Sequence, residues 1–430
     1  MGDSFWIDRH CPNALNDLPV TREEITSMPY EHRKASAILR VRDAGGRPAA
    51  NAKLRLEQLE HDFGFGCGAF DAIPYTNEKK GDPFYRDRME KWLKLFNYGT
   101  MSFYWGRYEP HEGAPEFESR MNASRFLVEN GKRVKGHPLC WHTVCADWLM
   151  QYNDKTILDK QLERIHRDVA AFAGVIDIWD VINEVVIMPE FDRYDNAVTR
   201  ICRRYGRVQL VKEVFDAAKA ANPGALLLIN DFNLSDRYAA LIRDCLDAGA
   251  PIGAIGLQTH QHQGYMGAEK LGEILRRFEG FGLPLHFTEN TLVSGHLMPG
   301  HIVDLNDYVV PEWPTTPEGE ERQAREWEEM LRMLFDHPRV EAVTGWDFTD
   351  GAWLGAPSGL LAVDNRVKPA YETLYRLIHE EWHTAGDIFT DGSGCAEVRG
   401  FKGEYALSDG TRTARIHLSS DGEAIEAVLR

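Results

Sequence analysis

Two glutamates stand where this chain could carry out acid–base or nucleophilic chemistry. Glu184 ends the apolar run VIDIWDVINE, and Glu289 ends the apolar run LPLHFTE. Two carboxyl groups beside one bond can split a glycosidic linkage, because one protonates the leaving oxygen while the other attacks the anomeric carbon or activates water. For each glutamate taken alone, a helix cap or a surface ion pair is the structural alternative. Two glutamates, each at the end of a predicted strand, favour a catalytic role over these structural alternatives.

Residues suited to binding a sugar lie at neighbouring strand ends. Trp346 and Trp353 offer flat faces with polar edges, on which the C–H faces of sugars stack, although core packing alone also explains tryptophans. Gln258 and His260 in GLQTHQH end another apolar run. A histidine there can hydrogen-bond a carboxylate such as Glu289 and influence its charge. These four side chains are therefore predicted to contact a substrate.

A metal site is the alternative chemistry. Four side chains of ligand type lie close together in the chain: His137, Cys140, His142 and Cys145. In an extended strand, residues 137 and 140 point to opposite faces, so this group does not converge easily. The HxH formed by His260 and His262 lacks companion ligands. We therefore predict neither a metal nor a cofactor.

Composition narrows the class of protein. The chain has 430 residues and a formal net charge of −17, so it would repel nucleic acids and anionic membrane surfaces. With 43% hydrophobic residues it can bury a large core, yet no apolar run approaches the roughly 18 residues of a membrane helix. We predict a soluble globular protein without nucleic-acid or membrane partners.

The first residues and the cysteines bear on the compartment. The opening MGDSFWIDRHCPNALNDLP has acids and prolines where a signal peptide needs a basic patch and an apolar stretch, so no targeting segment is predicted. Localisation stays open between the cytoplasm and secretion with the signal already removed. Seven scattered cysteines are an odd number and predict reduced, mostly buried thiols.

From about residue 64 onward, short apolar runs alternate with helical patterns, which is typical of strand–helix units around a parallel sheet. Eight units predict a (β/α)8 TIM barrel; a doubly wound sheet is the alternative, but no Gly-rich fingerprint follows the first strand. The predicted strands are 63–70, 95–103, 133–140, 176–183, 225–231, 254–259, 283–288 and 342–348. The predicted helices are 84–94, 118–131, 156–173, 200–221, 235–248, 268–280, 318–336 and 368–382.

Two flanks depart from the barrel pattern. In residues 37–59, the runs ILRVR and AKLRLEQL are joined by the Gly/Pro-containing DAGGRPAAN, which predicts a β-hairpin. In residues 384–430, TARIHLSS alternates as a half-exposed strand does. Because a hairpin alone is marginally stable, the two flanks are predicted to pair into one small β-rich subdomain. The predicted units are an extension with the hairpin at 1–62, the barrel at 63–383 and the pairing β extension at 384–430.

The motifs, taken in order, resemble glycoside hydrolase family 10, the retaining β-xylanase family of barrel enzymes. The matches are GHPLCWH, WDVINE, LLLINDFN, GLQTHQH, FTE, WDFTDGAWL and GLLAVDNRVKPAY. They extend over roughly residues 60–380. The resemblance implies Glu184 as acid/base, Glu289 as nucleophile and Asn183 as the residue that binds the sugar 2-hydroxyl. It also implies a wall of the central subsite formed by His142, Gln258, His260 and Trp346.

The chain departs from that family after the second strand. Family xylanases carry a Glu-Asn pair followed by Met-Lys-Trp there, which grips the next sugar on the non-reducing side. Here TMSFYWGRYEP lacks the Asn and the Lys, and presents instead Ser102, Tyr104, Trp105 and Arg107. This predicts a rebuilt subsite in which Trp105 and Arg107 bind substrate. Thr291 replaces the aspartate that usually stands two residues after the nucleophile, and an insertion at 293–317 is predicted to wall one end of the cleft.

Together these features predict a retaining β-glycoside hydrolase that cleaves a β-linked plant or algal polysaccharide, with endo-β-1,4-xylanase-like action. The predicted partner is a polysaccharide or oligosaccharide substrate. Three alternatives stay open: a β-glycosidase of the same family acting on a non-xylan glycan or side chain, a non-catalytic glycan-binding barrel, and a metal-dependent barrel hydrolase.

Overall fold

The structure, a computed structural model, describes residues 30–430. In this part of the chain the strands are β1 Lys34–Asp43, β2 Lys53–His61, β3 Gly64–Gly68, β4 Tyr98–Ser102, β5 Arg133–His137, β6 Ile178–Asn183, β7 Leu226–Asp231, β8 Ala254–Gln261, β9 Leu285–Leu292, β10 Val340–Gly345, β11 Ala385–Phe389, β12 Cys395–Phe401, β13 Gly403–Ser408, β14 Thr413–Leu418 and β15 Glu423–Leu429. Strands β3 to β10 form a closed barrel in the order β10-β3-β4-β5-β6-β7-β8-β9. Every neighbouring pair in it is parallel. The predicted (β/α)8 barrel is confirmed.

Helices alternate with the barrel strands and bury apolar faces. The α-helices are Ala72–Thr76, Pro83–Leu95, Trp105–Tyr108, Phe117–Glu129, Asp154–Ala171, Ala197–Tyr205, Arg207–Ala221, Asp236–Asp247, Gly267–Glu279, Pro317–Asp336 and Pro369–Arg376. Short 3-10 turns lie at Glu31–Arg33, Asp147–Gln151 and Leu305–Asp307, and a π-helical turn at Leu377–Glu381. The helix predicted at 200–221 is divided at Gly206, whose φ of 86° ends one helix before the next begins.

Helix Asp154–Ala171 illustrates how the local sequence sets an element. The Asn153 side chain accepts a hydrogen bond from the backbone N–H of Thr156 and so caps the first turn. Ile157, Ile165 and Val169 recur at helical spacing and are fully buried. The periodicity that predicted this helix is therefore the face that packs on the barrel.

The flanking strands form a two-layered β-sandwich beside the barrel. One sheet has the order β12-β1-β15, and the other has the order β11-β2-β13-β14. Both flanks thus contribute strands, and the predicted β-rich accessory unit is confirmed. Its core includes Leu39, Leu56, Leu407 and Ile416, which come from both sheets. The exact limits at 62/63 and 383/384 stay predictions.

The predicted N-terminal hairpin is wrong. Strand β1 pairs with β12 and β15, whereas β2 pairs with β11 and β13. Each strand has a single apolar face, formed in β1 by Ala37 and Leu39 and in β2 by Leu54 and Leu56. Those faces bury each other when the two strands lie in facing sheets, so the intervening segment 44–52 crosses between the layers.

An aromatic cluster joins the sandwich to the amino-terminal end of the barrel. The rings of Phe335 and Trp382 stack with centroids 4.3 Å apart, and Phe65 of β3 lies 5.8 Å from Trp382. Phe401 of β12 approaches Phe335 to 6.0 Å. The sandwich is therefore anchored far from the carboxyl ends of the strands.

Two further observations concern the whole described chain. No helix within residues 30–430 is long and apolar enough to cross a membrane. The cysteines of this part are free thiols, all of them buried except the half-buried Cys395, and Cys11 lies outside the described residues.

The sandwich core gives a stability prediction with a matched control. Leu39 is 0% exposed, while its neighbour Ile38 points to the other face and is 50% exposed. We expect Leu39→Ala to lower the free energy of unfolding by about 2 to 5 kcal/mol, because it leaves a cavity. Ile38→Ala should change it by about 0.5 kcal/mol or less. Denaturant-induced unfolding measures both, and equal effects would contradict the assigned faces.

Candidate active site

The two glutamates lie at the carboxyl-terminal mouth of the barrel. Glu184 directly follows β6 and has a φ of 57°, a left-handed backbone conformation that is uncommon outside glycine. Its N–H donates to the carbonyl of Asn230 at 2.8 Å. Glu289 lies within β9, which continues beyond the predicted end at 288 to Leu292, and is 4% exposed. The predicted placement of both carboxyl groups at strand ends of one barrel face agrees with this geometry.

An asparagine amide links the two sides of the mouth. Asn230 donates through Nδ2 to Asn183 Oδ1 and to Glu289 Oε1, both at 2.8 Å. Its own Oδ1 accepts from Thr288 Oγ1 at 2.6 Å. Gly256 on the neighbouring strand makes room for this amide, since a Cβ there would lie 2.3 Å from Asn230 Oδ1. Sequence reasoning gave Asn230 of LLLINDFN no role; its position at the end of the fifth barrel strand was the signal.

Asn183 and Gln258 complete this polar layer. Gln258 Nε2 donates to Asn183 Oδ1 at 2.9 Å, and Asn183 Nδ2 donates to Glu184 Oε1 at 3.3 Å. The β8–β9 register places Gln258 opposite Glu289. The structure thus brings both predicted residues to the carboxyl pair.

A series of ionisable side chains lies behind Glu289. His260 donates through Nε2 to Glu289 Oε2 at 3.0 Å, and its Nδ1 lies 2.8 Å from Thr291 Oγ1. On the other side, His137 Nε2 lies 3.9 Å from Glu289 Oε1. The series continues through His137, Asp180 and Lys135, joined by contacts of 2.7 Å from His137 Nδ1 and 2.6 Å from Lys135 Nζ to Asp180 Oδ2.

These surroundings shift the pKa values of the two carboxyl groups in opposite directions. Burial raises the pKa of Glu184 to about 8, and the charges of Glu289 and Asp231 add to that effect. Burial alone would also raise the pKa of Glu289, but the nearby His137 and His260 outweigh it and lower that pKa below its usual value. One carboxyl group is therefore poised to keep its proton at neutral pH while the other is ionised.

Tryptophan rings form walls on both sides of the pair. The Trp353 ring lies 4.5 Å from that of His260, and the Trp346 ring lies 5.3 Å from that of His137. The indole N–H of Trp141 donates to Glu184 Oε2 at 2.8 Å. Trp346 and Trp353, both predicted to bind sugar, thus flank the Glu289 side of the mouth.

The loop after β4 brings a tyrosine to the site instead of the predicted tryptophan. Trp105 is buried, and its indole N–H donates to Glu109 Oε2 at 3.1 Å, so the structure does not bring it to the carboxyl pair. Tyr104 packs between His137 and Trp141, and the centre of its ring lies 5.8 and 5.5 Å from the centres of theirs. Burial, followed by the charge of Glu289, raises the pKa of Tyr104.

Two predicted residues lie further out. Arg107 is exposed, with its guanidinium 5.9 Å from the centre of the Tyr104 ring. His142 is buried, its ring lies 4.5 Å from that of Phe191, and burial lowers its pKa to about 3. Arg107 therefore borders the mouth, whereas His142 packs as a neutral ring behind Trp141.

The alternative of a metal-dependent hydrolase finds no cluster of metal ligands among the described residues. Within residues 30–430, no group of three or more His, Cys, Asp or Glu side chains is arranged to hold a metal ion. Of the four His and Cys side chains around the third barrel strand, His137 contacts Asp180 through Nδ1. Cys140 and Cys145 are buried free thiols.

A closed parallel barrel whose mouth holds two carboxyl groups of opposite pKa shift defines a glycoside-hydrolase type of barrel enzyme. A model of glycosyl hydrolase family 10 matches residues 94–377. The match covers more than half of the chain, so this protein belongs to glycosyl hydrolase family 10 and is a glycoside hydrolase.

Two curated relatives with xylanase names match this chain. The chain is 26% identical over 317 residues to an endo-1,4-beta-xylanase/feruloyl esterase of Xylanibacter ruminicola, covering 64% of this chain and 41% of that protein. It is 26% identical over 343 residues to endo-1,4-beta-xylanase B of Thermotoga neapolitana, covering 76% of this chain and 90% of that protein. The match thus spans less than half of the first relative and most of the second.

Solved structures share the fold. A GH10 structure from Paenibacillus barcinonensis superposes with a TM-score of 0.62 at 23% identity, covering 73% of this chain and 94% of that chain. Native xylanase 10B from Thermotoga maritima superposes with a TM-score of 0.61 at 23% identity, covering 74% and 96%.

The bond from Trp141 to Glu184 gives a pH prediction. This hydrogen bond favours the ionised carboxyl group, so Trp141→Phe should raise the pKa of Glu184 further. If catalysis needs the protonated form, the alkaline limb of kcat/KM should move upward by less than about one pH unit, because a hydrogen bond to an ionised carboxyl group exceeds one to a neutral group by roughly 1 kcal/mol.

The control for this prediction is Trp148→Phe. Trp148 donates its indole N–H to the carbonyl of Glu109 rather than to a carboxyl group of the pair. The alkaline limb of kcat/KM on an aryl β-glycoside should keep its position in that variant. A downward shift of the alkaline limb in Trp141→Phe would contradict the expected rise in the pKa of Glu184.

Proposed function

We propose that this glycoside hydrolase cleaves β-1,4-linked xylan-type glycans by double displacement with retention of configuration. The observation that carries the proposal is the opposite pKa shift of the two carboxyl groups, raised to about 8 for Glu184 and lowered for Glu289. A protonated acid beside an ionised carboxylate suits glycoside hydrolysis with either stereochemical outcome, and membership in glycosyl hydrolase family 10, which the motifs resemble as a retaining family, favours retention. The xylanase names of the curated relatives support the choice of sugar.

In the first step Glu184 donates its proton to the departing glycosidic oxygen while the carboxylate of Glu289 attacks the anomeric carbon. The bond from that carbon to the leaving oxygen breaks, and a glycosyl ester of Glu289 forms. Esterification removes the negative charge that helps raise the pKa of Glu184. Glu184 then loses its proton more readily and serves as base for the incoming water, which attacks the same carbon and frees Glu289.

Neighbouring residues prepare the nucleophile for this reaction. The amide N–H of Asn230 and the ring N–H of His260 hold the two carboxylate oxygens of Glu289 separately. This fixes the plane of the carboxylate and leaves its remaining lone pairs for the substrate. Asn183, whose Oδ1 is held by Gln258, is the residue proposed to bind the sugar 2-hydroxyl.

A second candidate function is hydrolysis of a different β-linked glycone by the same mechanism. The favouring observation is the loop after β4, where Tyr104 lines the mouth and the exposed Arg107 lies over its ring. Initial rates on aryl β-xyloside, β-glucoside, β-galactoside and α-arabinoside distinguish the two candidates. Preference for the xyloside supports the first, and activity confined to another sugar supports the second.

Two variants test the roles of the glutamates. Glu289→Ala should reduce turnover of every substrate by at least about 10⁴-fold, because no nucleophile remains. Glu184→Ala should slow hydrolysis of xylan by about 10²- to 10⁴-fold yet spare the first step on dinitrophenyl glycosides, whose leaving group needs no proton. A burst of dinitrophenol followed by slow turnover is the expected trace, and equal losses on both substrates would refute the assigned roles.

A further inference from the structure

The segment 293–316, here called the strap, runs from β9 to helix Pro317–Asp336 and has a small core of its own. Val293, Met298 and Trp313 are buried in it, together with Ala356 of the loop after β10. His296 Nε2 and Tyr308 Oη lie 2.8 Å apart. These contacts give the insertion a defined course over the barrel.

The strap first contacts the residues that follow β8. The N–H of Met298 donates to the carbonyl of His262 at 2.9 Å. Gln263 Nε2 donates to the carbonyls of Pro299 and Ile302 at 3.0 and 2.7 Å. The strap therefore leaves its own strand and crosses toward the strands that precede it in the barrel.

An ion-paired latch then ties the strap to the loop that follows Glu184. Arg193 contacts Asp304 through Nη1 and Asp307 through Nη2, the latter at 2.6 Å. The same loop is held to helix Asp236–Asp247, which follows β7, because Glu190 Oε1 lies 2.9 Å from Arg237 Nη2. The strap is thus connected to the segments after β6 and β8, and through the loop after β6 to the helix after β7.

These connected segments follow β6 to β9, the strands that include those before Glu184 and around Glu289. Across the mouth, the rings of Trp346 after β10 and Tyr104 after β4 pack on His137 of β5, which lies 3.9 Å from Glu289. Because Glu289 attacks the sugar, these rings border the sugar under attack. A leaving group protonated by Glu184 must extend away from them, over β7 and β8. The strap and its latch lie after the strands on that side.

We propose that the strap closes the leaving-group end of the cleft, so that this enzyme releases short leaving groups near a chain end, with Arg193 as the residue that sets this specificity. The inference rests on the proposed function and refines it from mid-chain to chain-end cleavage. The latch residues are partly exposed, and exposed ion pairs are weak and screened by salt. The strap is therefore held by a contact that charge reversal can release.

The test follows which fragment carries the reducing end of xylohexaose labelled there with ¹⁸O, by mass spectrometry. Wild type should release the label mainly as xylose and xylobiose. Arg193→Glu, which faces two aspartates, should raise the ratio of longer labelled fragments to these short ones by about fivefold. Arg193→Glu combined with Asp304→Arg restores an opposite pair and should return the wild-type pattern.

Matched controls keep the test independent of folding. Arg412 forms a similar pair with Asp409 on the sandwich, and its side chain is 44% exposed against 45% for Arg193. Arg412→Glu should leave the fragment pattern unchanged. Wild type at about 1 M salt, where the Debye length falls to about 3 Å, should shift in the direction of Arg193→Glu without any substitution.

The outcomes separate this inference from the proposed function. An aryl β-xyloside has a short leaving group, so wild type and all strap variants should hydrolyse it at equal rates. Equal rates with one broad fragment pattern in wild type, Arg193→Glu and high salt would overturn the role of the strap alone. No hydrolysis of the xyloside by wild type would overturn both proposals.

Discussion

The site depends on keeping one carboxyl group ionised while it is almost buried. Glu289 is 4% exposed, and a buried charge is costly unless it is paired and hydrogen-bonded. Asn230 and His260 bond its two oxygens, and the side chains of His137, Asp180 and Lys135 follow one another behind it. Lys135 and His137 lower the pKa of Asp180 although burial opposes them. The charge preserved in this way then helps to keep the proton on Glu184.

Glycines at two positions of the barrel leave room for the side chains that pack beside them. Gly256 leaves the space that Asn230 occupies, and Gly136 leaves the space for Trp179, whose ring would lie 2.2 Å from a Cβ there. A register shift between β8 and β9 next to Gln258 sets that residue opposite Glu289. Packing at native density thus fixes the polar layer before any substrate arrives. In the proposed function, the loops above this layer, including the strap, decide which glycans can reach the pair.

The sequence predicted the elements that depend on local pattern and missed those that depend on partners. Alternating apolar runs and helical periods revealed the barrel, and polar residues at strand ends revealed Glu184 and Glu289. The hairpin prediction failed because alternation shows which face of a strand is buried but not which strand lies beside it. In the loop after β4, the short helix Trp105–Tyr108 turns Trp105 inward and leaves Tyr104 at the mouth. Side-chain direction in so short an element cannot be deduced from spacing.

The covalent intermediate offers the most direct test of double displacement. An activated aryl 2-deoxy-2-fluoro-β-xyloside should inactivate the enzyme, because fluorine destabilises the oxocarbenium-like transition states while the good leaving group still permits the first step. Digestion and mass spectrometry should place one fluoroxylosyl group on the peptide that contains Glu289. Turnover of ordinary xylosides without any adduct, or an adduct on Glu184, would contradict double displacement through Glu289.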